Sequence, residues 1–432
     1  MADGGSAWRD PELDLRLMAR PHEVIEARGH LIDSHRMEVM FDTIVAHDGS
    51  FEVEEFRIGR TNEEQSYMRM RVEAPSEEAM DRLLGDLIGL GCATAEQGDA
   101  LLRPVERERC APEDFYSTTN HRTEVRLNGR WGEVRRQRMD TAIVVHDGAA
   151  ECRRLRDLRV GDQVVCGQHG IRVIPEAKER DRLAFSFMSH GVSSERQVET
   201  AVQQVAALLR QTKTQAKRVV AVVGPVVVHT GAAPALAELI RNGWIDCLLA
   251  GNALGVHDAE AALLGTSLGV RLSDGRQAEH GHRNHMRAIN MIYHCGGLRQ
   301  AVEQGKIASG IIYECIRNNV PYVLAGSLRD DGPLPDAITD MNEAQDAYAR
   351  QLEGAGVVMC LGSMLHAIAT GNMLPSRVKL ICVDISPAVV TKVSDRGTGQ
   401  AVGVVTDVGL FLHTLRKIMA EPARAERESD VA

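Results

Sequence analysis

The sequence predicts an α/β protein whose C-terminal half is a doubly wound, mostly parallel sheet. Three observations predict it. Six short runs rich in Val, Ile and Leu lie at 218–228, 245–250, 322–325, 357–361, 380–383 and 402–405. They are apolar on successive residues, as strands buried on both faces must be. Segments with helical spacing, at 235–241, 284–293, 341–351 and 408–419, fall between them. That alternation is the signature of helices layered on a parallel sheet. Finally, the runs end in Gly, a small residue or a carboxylate, which suits the ligand-binding edge of such a sheet.

Composition narrows the rest. At roughly 100–200 residues per domain, 432 residues make two or three domains. With 44% hydrophobic and 25% charged residues, the chain is ordinary globular material rather than disordered, collagen-like or coiled-coil. No stretch approaches the ~18–20 apolar residues of a membrane span. Residues 1–9 hold no apolar signal core, so a cytoplasmic protein is expected. The net charge of −10 comes without a basic stripe, which argues against nucleic-acid binding. Nine scattered cysteines with no C-x-x-C argue against a disulfide framework or zinc ribbon.

Ahead of the main domain, residues 1–35 read as a polar lead-in. A small α+β module is expected over 36–110. Residues 37–45, 51–58 and 66–73 alternate like strands, with a turn at His47-Asp48-Gly49-Ser50. Ser76 then caps a helix carrying Met80, Leu83, Leu84, Leu87 and Ile88 at helical spacing. Over 111–184 the chain reads as a small β-rich module. Its clearest mark is Asn128-Gly129 between two short strands, a hairpin turn. The NAD-binding candidate, the α/β domain, runs over 185–425, and 426–432 is a frayed tail.

The strand ends carry the chemistry. Run 245–250 ends in Gly251-Asn252-Ala253-Leu254-Gly255, and run 322–325 in Gly326-Ser327-Leu328-Arg329-Asp330-Asp331-Gly332. Run 357–361 ends in Gly362-Ser363-Met364-Leu365-His366, run 380–383 in Asp384, and run 402–405 in Thr406-Asp407-Val408-Gly409. Gly362 would leave its strand, Ser363 cap the next helix, and the backbone N–H groups there hold a pyrophosphate. Asp384 lies 22 positions after Gly362, close to the ~20 at which a dinucleotide site places its ribose ligand. A carboxylate there favours NAD over NADP. No G-x-G-x-x-G accompanies it, so an ordinary β-α-β with an acidic strand end is an equal reading of the pattern alone. Asn252 and Asp407 have plainer readings too, as an Asx turn and a helix cap.

For catalysis the candidates are His285 and the Asp330-Asp331 pair. His285 opens a helix and can act as acid or base near pH 7. The two aspartates sit in a Gly/Pro-rich loop beyond a strand end; a solvated acidic turn is the competing reading. His280 and His282 precede His285, but no H-E-x-x-H or acidic third ligand supports a metal, and none is expected.

Taken together, these segments resemble a known family. Residues 37–92, including Phe41-Asp42, resemble the lysine-oxoglutarate reductase/saccharopine dehydrogenase (LOR/SDH) domain. Gly251-Asn252-Ala253-Leu254-Gly255-Val256-His257-Asp258, His282-Arg283-Asn284-His285, the 326–335 loop and Gly362-Ser363-Met364-Leu365-His366 resemble archaeal-type ornithine cyclodeaminases. That group includes the C-terminal part of the cyanobacterial arginine dihydrolase/ornithine cyclodeaminase. The resemblance spans about 36–420.

It implies a deoxyhypusine-synthase-like NAD-binding domain and conversion of L-ornithine to L-proline and ammonia by internal hydride transfer. It implies that Asn252, Ala253, Gly362, Ser363, Met364, Leu365, His366, Asp384 and Asp407 line the NAD site. The residues themselves add Asp330 beside the cofactor and Asp331 or His285 as the base that takes the α-ammonium proton. A homo-oligomer, by analogy a tetramer, is also implied. The competing readings are a net NAD-dependent amino-acid dehydrogenase of the lysine/saccharopine type and a non-catalytic NAD-binding sensor.

Overall fold

The computed structural model describes residues 20–29, 31–32, 36–59, 64, 66–95, 98–174, 194–278, 281–330, 332–396 and 401–420. The chain divides into two compact units, Met1–Arg182 and Leu183–Ala432. No described helix is long and apolar enough to cross a membrane.

The first unit opens with β1 (His22–Gly29), α1 (Arg36–Ala46), β2 (Ser50–Arg57), β3 (Ser66–Glu73), α2 (Glu77–Gly89) and β4 (Cys92–Thr94). The strands form one antiparallel sheet in the order β2-β3-β1-β4. Two expectations are corrected here. The supposed polar lead-in contributes a central strand, because Ile25 and Ala27 alternate inward against the helices. Residues 37–45 form a helix, not a strand. Met37, Met40, Phe41 and Ile44 recur at three- and four-residue spacing, and Met40 and Ile44 are fully buried. Ser76 does cap α2, its hydroxyl accepting from the Ala79 amide at 3.2 Å.

Next come β5 (Leu101–Pro104), β6 (Arg122–Leu127), β7 (Arg130–Glu133), β8 (Ala142–His146), β9 (Ala149–Arg153), β10 (Gln163–Cys166) and β11 (Ile171–Ile174). They make two small sheets, β5-β10-β8-β9 and β11-β6-β7. Asn128 and Gly129 both take positive φ, at 50° and 76°. Such a turn matches the twist of the flanking strands.

The second unit runs α3 (Ser194–Thr214), β12 (Arg218–Val223), α4 (Val226–His229), α5 (Ala233–Arg241), β13 (Cys247–Gly251), α6 (Asn252–Leu264), β14 (Thr266–Ser267), β15 (Val270–Arg271), α7 (Asn284–Cys295), α8 (Leu298–Glu303) and α9 (Ile311–Arg317). It continues with β16 (Tyr322–Ala325), β17 (Ala337–Ile338), α10 (Met341–Leu352), β18 (Ala355–Leu361), α11 (Leu365–Met373), β19 (Lys379–Asp384), α12 (Pro387–Arg396), β20 (Ala401–Val405) and α13 (Val408–Ala420). Seven strands form a sheet in the order β17-β16-β13-β12-β18-β19-β20, parallel throughout.

Each strand serves two cores. Val219, Ala221 and Val223 of β12 face one, shared with α3, α5, α6, α9 and α13. Val220 and Val222 face the other, shared with α10, α11 and α12. Alternate residues therefore point opposite ways and all are buried, which is why the run reads as uninterrupted apolar sequence. From β12 the chain winds outward through β13, β16 and β17. Helix α10 then carries it back to β18, on the other side of β12. The winding direction reverses between β12 and β18, the switch point beyond whose carboxyl ends sheets of this kind take their ligands.

Asp258 on α6 locks the helical layer. It is 3% exposed, and its two carboxylate oxygens accept the Ile311 and Ile312 amides at 2.9 and 2.8 Å. Burial pushes its carboxyl up to about 6, against the pull of those two amides. Asp258→Ala leaves two buried donors unpaired and should cost about 2–4 kcal/mol in urea unfolding. The folded form holds this proton more tightly than the unfolded chain does. The group's contribution to stability therefore falls as pH rises from about 4 to about 6, a slope that Asp258→Asn should remove.

Candidate active site

Two glycines shape the crevice. Gly224 leaves β12 and Gly362 leaves β18, and their backbones touch. A Cβ on Gly224 would overlap the Gly362 carbonyl oxygen, and a Cβ on Gly362 would overlap Val226 Cγ1. Gly362 also takes φ +55°, where a side chain costs roughly 1–2 kcal/mol before any clash. The strand thus turns within one residue and leads directly into α11.

Ser363 was expected to cap α11 and does not. The cap position falls to Met364, which makes no side-chain cap bond. Ser363 is buried, and its hydroxyl lies 3.4 Å from His366 Nδ1. Among the described residues no side chain accepts from the first amides of α11, as an anion site requires. Met364 and Leu365 stand exposed at the same corner. Asp384 ends β19 half-buried. Its Oδ1 accepts the Ser386 amide at 2.8 Å, and among the described residues Oδ2 has no partner. Asp407 caps α13, accepting the Leu410 amide at 2.9 Å. A glycine corner, an uncapped helix start and a strand-end carboxylate with a spare oxygen fit the pyrophosphate and ribose of a dinucleotide.

The remaining candidates gather over β13 and β16. Asn252 is 4% exposed and accepts the Leu334 amide at 2.9 Å, tying the end of β13 to the 326–335 loop. Ala253, beside it, is exposed on the first turn of α6. His366 lies over the end of β13, since a Cβ on Gly251 would sit 2.8 Å from His366 Cε1. Burial lowers the pKa of His366, while the charge of Asp330 pulls it the other way. Asp330 itself folds its loop back, accepting the Ser327 amide at 2.7 Å. His285 is half-buried, one residue into α7. Asp331 and His280 lie outside the described residues.

A polar network on the same edge went unread in the sequence. Glu260 of α6 is fully buried. It accepts from Thr266 Oγ1 at 2.8 Å and the Gly269 amide at 3.2 Å, and it pairs with His257 Nδ1 at 3.1 Å. Burial pushes this carboxyl up, but those donors outweigh it and hold it below the usual range. His229, at the end of α4, stands edge-on to His257 with ring centres 4.7 Å apart, and its Nδ1 bonds Ser267 Oγ at 2.7 Å. Asn284 donates to Thr266 at 2.9 Å.

The legible signal was His257-x-x-Glu260, a spacing that puts both groups on one helix face. Gly265-Thr266-Ser267-Leu268-Gly269 also matches a hydrolase nucleophile elbow in spacing. Its context does not match. Ser267 is 4% exposed in a short hairpin, and the Leu268 and Gly269 amides that would form an oxyanion hole are turned onto Glu260.

Such a sheet, with its ligand groups at the switch point, defines a Rossmann-type NAD-binding enzyme. Family profiles agree in detail. The LOR/SDH bifunctional enzyme conserved region matches residues 22–121. The first C-terminal region of ArgZ-like arginine dihydrolases matches 122–202, and their C-terminal Rossmann fold matches 203–415. The ornithine cyclodeaminase of Methanocaldococcus jannaschii is 47% identical over 418 residues, covering 94% of this chain and 99% of that one. Among solved structures, apo ArgZ, a cyanobacterial arginine dihydrolase, aligns with a TM-score of 0.82 at 44% identity. That match covers 92% of this chain and 58% of ArgZ. The ternary complex of AgrE with ornithine and NAD+ aligns with a TM-score of 0.51 at 46% identity, covering 92% of this chain and 57% of AgrE. The chain belongs to the ornithine cyclodeaminase family.

The glycine corner is open to test. Gly362→Ala should lower stability by about 2–4 kcal/mol in thermal or urea unfolding, through positive φ plus overlap with Val226. Val226→Ala in the same chain should recover the steric part and leave the roughly 1–2 kcal/mol of backbone strain.

Proposed function

We propose that the protein is an NAD-dependent ornithine cyclodeaminase that converts L-ornithine to L-proline and ammonia. The observation that carries this is the glycine-cornered crevice in a chain 46% identical to the relative crystallised with ornithine and NAD+. Bound NAD supplies a hydride acceptor that gives back what it takes, so the reaction has no net redox change.

The protein's own groups divide the work. The α11 amides hold the pyrophosphate, with Gly362 and Ser363 shaping their approach. Asp384 accepts the hydroxyls of the adenosine ribose, and Ala253, Met364, Leu365 and Asp407 line the cofactor's flanks. Asn252, Asp330 and His366 border its reactive end. His285 or Asp331 takes the proton of the ornithine α-ammonium, which must leave before Cα can be oxidised. Proline formation from ornithine, a homo-oligomeric state and a cytoplasmic setting form one consistent reading; light scattering on the purified protein checks the oligomer.

Mixed with ornithine and NAD, the protein should release proline and ammonia in equal amounts with no lasting absorbance at the NADH wavelength. Accumulating NADH would mean a net dehydrogenase, and cofactor binding without turnover a sensor. Asp384→Asn should weaken NAD binding by about tenfold in calorimetry, the loss of one charge-assisted hydrogen bond.

A further inference from the structure

Cyclisation of ornithine demands more proton traffic than one base handles. The δ-nitrogen arrives as an ammonium and must lose a proton before it can attack. The α-nitrogen must gain one before it can leave. A group that takes the first proton and delivers the second, near pH 7, is best built from imidazole.

We infer that His229 and His257, held by Glu260 and Ser267, are this proton-exchange station. The inference rests on the cyclodeaminase reading, and four observations place the pair there. His229 ends the short helix that leaves the Gly224 corner, and the next residue, Thr230, packs against Gly409 beside Asp407. His257 lies four residues after Ala253, hence on the same helix face and about 6 Å further along. Each ring has its Nδ1 engaged, by Ser267 and by Glu260, and among the described residues no partner takes either Nε2. The carboxylate behind the pair is buried and tied to Thr266, which also receives Asn284, the neighbour of His285. Burial and the neighbouring His257 lower the pKa of His229, with Glu260 pulling it up.

The exchange balances. The δ-ammonium gives its proton to an imidazole Nε2, and the freed amine forms the ring C–N bond at the oxidised Cα. The imidazolium returns that proton to the α-nitrogen, whose bond to Cα breaks with the electron pair going to ammonia. The ring nitrogen, which carries two protons after the attack, gives one to the freed imidazole as its lone pair forms the ring C=N bond, and the departing ammonia takes that proton away as ammonium. The histidines end as they began, and this stage consumes no oxidant or reductant. Glu260 and Ser267 are positioning residues, fixing ring orientation and tautomer.

The test separates oxidation from exchange. In the full chain with both histidines changed, His229→Ala and His257→Ala, rapid mixing with ornithine and NAD should still reduce the cofactor, in an amount approaching the protein concentration. Proline release should fall by about 10²–10⁴-fold, and added imidazole should restore part of it. Unchanged proline release overturns the inference, as does a parallel loss of cofactor reduction and proline. If the double variant does not fold, His257→Gln keeps a polar group towards Glu260 but carries no proton. It should show the same build-up at wild-type Tm, and full turnover in it overturns the inference. Wild-type protein that forms no proline removes the cyclodeaminase reading itself, a failure visible before any variant is made.

Discussion

The site depends on one steric constraint, the contact between the backbones at Gly224 and Gly362. Neither position has room for a Cβ, because a carbonyl oxygen stands against one and a valine methyl against the other. The two strand ends are thus held together at the point where the winding reverses, with the Gly224 amide bonded to the Leu361 carbonyl at 2.9 Å. Positive φ at Gly362 turns the chain so that α11 begins at the crevice. A larger residue at either glycine would push β12 and β18 apart or fill the space a dinucleotide needs.

Around that corner, charge is distributed by role. Around α11 and β19 lie a strand-end carboxylate and, among the described residues, helix-start amides with no side-chain acceptor, a pairing suited to ribose hydroxyls and phosphate oxygens. Over β12 and β13 the titratable groups are stacked instead, with buried Glu260 behind His257 and His257 against His229. Exposed apolar residues, Leu328, Met364, Leu365 and Ile385, rim the same edge. Asp258 and Asn252 have a different task. Each spends its side chain on backbone amides of a distant segment, holding α9 and the 326–335 loop to α6.

Much of the C-terminal sheet was legible from residue order. Strands buried on both faces leave long apolar runs, and those at 322–325, 357–361, 380–383 and 402–405 fall within the observed strands. The N-terminal module was misread where two periods compete. Over 37–45, alternation and helical spacing both find apolar partners, and contacts with the sheet select the helix. The strand at His22–Gly29 was missed because only alternate residues face the core, so a charged, polar composition hides it.

The candidate site was legible wherever the chemistry follows directly on a strand, as with Asn252, Gly362, Asp384 and Asp407. The histidine network was not, because His229, His257 and Ser267 are brought together by the packing of three separate elements. Strand order, glycine corners and strand-end acids thus follow from local sequence, since each depends on neighbours along the chain. Which carboxylate acts as a cap, which faces the crevice and which supports a pair of rings is settled only when the sheet closes. Those roles depend on burial and on partners tens of residues away.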